Sequence, residues 1–127
     1  MKAKTGSYPK TVTVCLGVFA ALVWPPLLRA QDMVKVAPKN CRVVLDNDRV
    51  RVIRVVLKPG ETLPMHSHPA NVVYSLAAAK AKYTFADGKT EERELKAGQA
   101  VWSDAISHST ENTGTTESRA LVFELKK

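Results

Sequence analysis

With 127 residues and a formal charge of +7, the chain has room for one small core and is basic enough to raise nucleic acid or an anionic membrane as partners. Four of the 19 basic residues (Lys2, Lys4, Lys10 and Arg29) and none of the 12 acids fall in the first thirty positions, which leaves 15 against 12, or +3, for the remainder. Those remaining charges alternate in sign and form no basic stripe, so nucleic acid is not an expected partner.

The chain opens on the acid-free stretch Met1 to Lys10 and runs into an apolar segment from Val12 to Trp24, which Pro25 and Pro26 break. A basic head followed by an apolar middle is the order of a secretory signal peptide. Cleavage is expected between Ala30 and Gln31, giving an exported protein of the periplasm or the extracellular space. A retained anchor is the other reading, and only then would a membrane be a partner. A spanning helix needs about 20 apolar residues, and the proline pair falls short of that. Cys15 leaves with the signal, so Cys41 has no internal disulfide partner and reads as a half-buried structural thiol.

Residues 31–41 read as an arm with no clear period, and residues 42–127 as the domain proper. The domain is β-like almost throughout. Arg42 to Leu45 is short and branched, Asp46-Asn47-Asp48 is a turn cluster, and Val50 to Lys58 is a strand that Pro59-Gly60 stops. Val72 to Leu76 and Ala81 to Phe85 follow. Asp87-Gly88 supplies the positive φ of a tight hairpin into Lys89 to Leu95, an arm polar enough to face water. Ala100 to Ser103, His108 to Asn112 and Arg119 to Leu125 complete the set, with turns at Ala97-Gly98 and Thr113-Gly114-Thr115. Short strands at this spacing argue for a sandwich or a closed barrel, which also protects strand edges.

All three histidines fall in two places. His66 and His68 are one residue apart, so an extended backbone projects both to one face. His108, on a return strand, is spaced to join them, and three imidazoles on one face suit a divalent cation. Met65 has the opposite parity and is expected in the core.

Pro59-Gly60-Glu61, Met65-His66-Ser67-His68-Pro69 and the later Lys96-Ala97-Gly98 with Trp102, His108 and Asn112 resemble the small single-domain cupins. Gly60, His66 and His68 match that family's first motif in spacing, and Gly98, His108 and Asn112 match its second. The resemblance runs from Arg42 to Leu125. It implies an all-β double-stranded β-helix, or jelly-roll barrel, that pairs as a homodimer. It also implies a metal at His66, His68 and His108, with Tyr74, Trp102 and Asn112 as candidate pocket residues. Tyr74 shares the parity of the histidines if the strand runs straight. Trp102 otherwise reads as a core plug and Asn112 as a structural hydrogen-bond partner.

Three departures bear on chemistry. The Glu expected at position 72 or 73 is Val72 or Val73, Asp104-Ala105-Ile106 stands where the family has Pro-x-Gly, and Ala77-Ala78-Ala79 replaces a Gly-rich turn. Three neutral imidazoles leave the ion's charge uncompensated and at least one position open. That favours zinc, copper or nickel over manganese or iron, or an anionic ligand that supplies the missing charge. No carboxylate inside the barrel is expected to act as a base. The expected function is therefore a divalent-metal site in a small-molecule pocket with metal-dependent chemistry. The alternatives are a metal-free ligand-binding module and a structural module.

Overall fold

The computed structural model describes residues 31–127, so the expected signal peptide and its cleavage point lie outside the described residues. One short helix and nine strands follow in chain order: α1 (Met33–Val36), β1 (Cys41–Asp46), β2 (Val50–Leu57), β3 (Thr62–His68), β4 (Asn71–Ser75), β5 (Ala79–Phe85), β6 (Thr90–Leu95), β7 (Ala100–Ser103), β8 (Ile106–Asn112) and β9 (Ser118–Leu125).

The strands form two antiparallel sheets, one ordered β1-β2-β9-β4-β7 and the other β3-β8-β5-β6. Apart from the β1–β2 and β5–β6 hairpins, which each stay within one sheet, successive strands cross from one sheet to the other, as in a jelly roll. In β2 the branched residues alternate with arginines or face both ways, and Ile53, Val55 and Leu57 turn inward to meet Leu63 and Val122 in the core. Strand β6, reading TEEREL, lies at an outer edge of its sheet, where Glu91, Glu92 and Glu94 reach water while Arg93 is half-buried and turns toward the interior. The β5–β6 hairpin turns at Gly88, whose φ of 83° is open to glycine at little cost.

The arm is more ordered than its sequence suggests. Asp32 caps α1, its Oδ1 accepting from the Val34 amide at 2.8 Å. Four helical residues are too few to display a period, which is why no helix was legible there. Met33, Ala37 and Cys41 are all buried and belong to the core cluster. Burial also pushes the Cys41 thiol up to about 12, so it is a packed, unreactive group.

Strand β3 is the one that positions the site. Among the described strands it pairs with β8 alone, its other edge bridging Asp32 through Ser67, and its register shifts between Leu63 and His66. Pro64 lies in that shift, where a residue without an N–H is tolerated on an edge strand. The irregularity leaves both Leu63 and His66 buried, while Met65 is only half-buried and lies outside the core cluster.

Candidate metal centre

His66 and His108 are directly opposite one another across the β3–β8 ladder, and His68 follows two residues later opposite Ile106. One sheet thus delivers all three imidazoles to the interior. Each is buried, and one nitrogen of each lies within 4.8 Å of the others. Ring centroids of His66 are 4.7 Å from those of both His68 and His108.

The hydrogen bonds orient the rings. His66 Nδ1 is 2.7 Å from the Pro64 carbonyl, which can only accept, so that nitrogen carries the proton. His68 Nδ1 is 2.8 Å from Glu124 Oε1, and His108 Nδ1 is 3.0 Å from the Thr110 hydroxyl. With every Nδ1 engaged, the Nε2 lone pairs are what remain for a ligand. His66 Nε2 is buried with no hydrogen-bond partner. An orphaned imidazole lone pair beside two others, each anchored through its far nitrogen, fits the donor set of a His₃ metal site.

Protonation is disfavoured in this setting. Burial, reinforced by charge on His66 and His68, pushes His108 down to about 3, and burial lowers His66 as well. Neutral imidazole is the form that binds metal.

Glu124 is the residue that sequence reasoning missed. It is buried, pairs with Arg51 across β2–β9 and with Asn71 across β4–β9, and its other oxygen lies 3.5 Å from Arg51 Nε. Arg51 in turn grips Asp32, which holds that carboxyl down at about 2. The signal was present in RALVFEL, where Glu124 falls in phase with core-facing Val122.

The histidines open onto a cavity of about 80 Å³, walled mainly by apolar side chains such as Val55, Leu57, Val73 and Val122. None of the three candidate pocket residues lines it. Tyr74 is 38% exposed on the outer face, because the chain crosses from one sheet to the other at Pro69-Ala70 and the parity counted from His68 is lost. Asn71, Val73 and Ser75 point inward instead. Trp102 is 55% exposed, neither plug nor pocket wall, and its Nε1 donates to Asp104 Oδ1 at 3.1 Å. Asn112 is buried beyond the cavity, its Nδ2 donating to the carbonyls of Leu57 and Thr116 at 2.9 Å each.

No family model and no curated protein matches this chain in sequence. Solved structures do match in fold. A cupin domain from Bordetella pertussis Tohama I is 24% identical with a TM-score of 0.64, covering 68% of this chain and 92% of that one. An RmlC-like cupin family protein with a double-stranded β-helix fold from Methanocaldococcus jannaschii is 17% identical with a TM-score of 0.55, covering 68% and 78%. The polyketide cyclase RemF from Streptomyces resistomycificus is 22% identical with a TM-score of 0.51, covering 68% and 64%. The fold is the cupin double-stranded β-helix, and its three buried histidines are compatible with a metal.

Proposed function

We propose that this protein is an exported cupin that binds one divalent cation through His66, His68 and His108 and admits a small molecule to the adjoining cavity. The observation that carries this reading is the buried, unpartnered Nε2 of His66 beside two more imidazoles, each tethered through Nδ1. The donor set favours zinc, copper or nickel, with manganese and iron less suited to three neutral nitrogens.

When bound, such an ion supplies Lewis acidity and an open coordination position. The chain's own residues disfavour protonation of His66 and His108, orient all three imidazoles and surround them with an apolar wall that restricts water. Among the described residues no carboxylate lines the cavity, so no carboxylate base is at hand there. That favours binding, or chemistry in which the ligand brings its own acidic proton, over side-chain general-base catalysis.

The homodimer belongs to the same proposal. What supports it is the outer face of the five-stranded sheet, where Leu45, Val52, Phe123, Val72 and Trp102 follow one another in register across β1, β2, β9, β4 and β7. Leu45 and Trp102 are exposed at the two ends of this row, Val72 and Phe123 are half-buried and Val52 is buried, and exposed apolar side chains on one face mark interaction surfaces.

Elemental analysis of the protein purified without added metal tests the metal site. Near-stoichiometric metal is expected in the parent and none in the His66→Ala/His68→Ala variant. A parent that stays empty after reloading with each of the five ions would overturn the reading.

A further inference from the structure

Among the described residues, Arg93 is the only permanently charged side chain that lines the cavity. It projects from β6 opposite Ala81, whose small side chain leaves it room. Its guanidinium lies 4.6 Å from the centroid of the Tyr83 ring, and Tyr83 stacks on His108 with centroids 4.7 Å apart. One aromatic ring therefore separates the guanidinium from the histidine cluster. Glu91 fixes the fork from the same edge strand, accepting from Nε at 2.9 Å and from one terminal nitrogen at 3.0 Å. The other terminal nitrogen has no side-chain or backbone partner among the described residues. Apart from the three histidines, the rest of the wall is apolar or carries hydroxyl and amide groups, and a positive centre with no acid among the described lining residues selects for an anion.

The space available sets the size. A cavity of about 80 Å³ is several times the roughly 10–15 Å³ that one water needs, so it takes a ligand of a few carbons. Guanidinium groups match the planar geometry of carboxylates.

We infer that the cavity is a binding site for a short-chain carboxylate, whose acid group pairs with Arg93 and whose body lies along the apolar wall toward His66, His68 and His108. This rests on the pocket reading above and adds the ligand class and the residue that selects it. Arg93 is then a specificity residue, and Glu91 its positioning partner.

Calorimetric titration of the purified protein with propionate, butyrate and 2-oxobutyrate, against butyramide as the uncharged match, tests it, with the metal content of every sample measured in parallel. At least one acid is expected to bind and the amide not to. Arg93→Gln should weaken that acid about ten-fold or more, the loss of one charged hydrogen bond, with metal content unchanged. Glu91→Gln should tighten it by relieving competition for the guanidinium, and this variant keeps the test open should Arg93→Gln fold poorly. Binding of the amide as strongly as the acid, no binding of any acid, or acid binding indifferent to both substitutions overturns the inference. Acid selectivity lost by Arg93→Gln in a protein that holds no metal would uphold the anion site while removing the metal reading.

Discussion

His68 Nδ1 and Glu124 Oε1 lie 2.8 Å apart although 56 residues separate them, and the bond joins β3 of one sheet to β9 of the other. A carboxylate behind a ligating imidazole fixes its tautomer and raises its basicity. It also places a negative charge near a histidine cluster that contains no carboxylate of its own. Glu124 thus supplies, one shell further out, part of what the absent carboxylate at Val72 or Val73 would have given.

Glu124→Gln keeps an oxygen that can accept from Nδ1 but removes the charge. Metal affinity is expected to fall about 10–100-fold, the range found for such outer partners, as read by competition with a chelator. Glu124→Ala goes further and leaves His68 Nδ1 without its acceptor and Arg51 without the carboxylate beside it. Unfolding of the chelator-treated variant in urea should show a loss of about 1–3 kcal/mol. Unchanged metal affinity in both variants would mean that Glu124 only ties the sheets together.

The depressed histidines make the metal-free protein sensitive to acid in a defined direction. His108 holds its proton only below about 3 in the folded chain, against 6.5 as its ordinary value, because of burial and the charge of its neighbours. The unfolded chain therefore takes up the proton first. The stability this group contributes is complete above about 6.5 and is lost as pH falls toward about 3. Asp32, lowered to about 2 by Arg51, adds a second loss below its ordinary 3.8. Melting temperatures of chelator-treated protein should fall steadily across these two windows. In His108→Gln the decline above pH 4 should flatten, apart from the smaller share that His66 keeps.

Asn112 is a structural residue and should behave as one. Its side chain meets the Leu57 and Thr116 carbonyls and accepts from the Gly114 amide, while its own backbone bonds Gly60 and Glu61. Asn112→Ala should cost about 2–3 kcal/mol by stranding those buried groups. Urea unfolding reads that loss, and the metal content per folded chain should not change. A loss of metal without a loss of stability would instead put Asn112 in the site.

The sequence carried the architecture because its signals are local. Branched runs such as VRVIRVVL and the turns at Asp87-Gly88 and Ala97-Gly98 are written within a few residues, and so is the His-x-His pair. Parity arguments held inside a strand and failed across one. His66 and His68 share a face, but Tyr74 does not join them, since the intervening corner changes sheets. Trp102 was misjudged because β7 is a four-residue edge strand with one face open to solvent, where a large aromatic need not be buried. Glu124 and Arg93 lay hidden among ordinary strand charges. Only the pairing of β9 with β2 and β4, and of β6 with β5, puts them at the site.

Trp102 and Leu45 are 55% and 49% exposed at the two edges of the five-stranded sheet, and Val52, Phe123 and Val72 connect them across the ladder. A second copy seated there would cover the row. Trp102→Arg would set a charge at one end of such a contact, and leaving that charge buried without a partner is strongly unfavourable. Sedimentation should then show a dimeric parent and a monomeric variant, with metal content equal in the two. Because Trp102 faces away from the cavity, the substitution should leave the folded monomer within about 0.5 kcal/mol of the parent, as exposed positions usually do. A parent that sediments as a monomer at every concentration would remove the dimer and leave the apolar row without a partner.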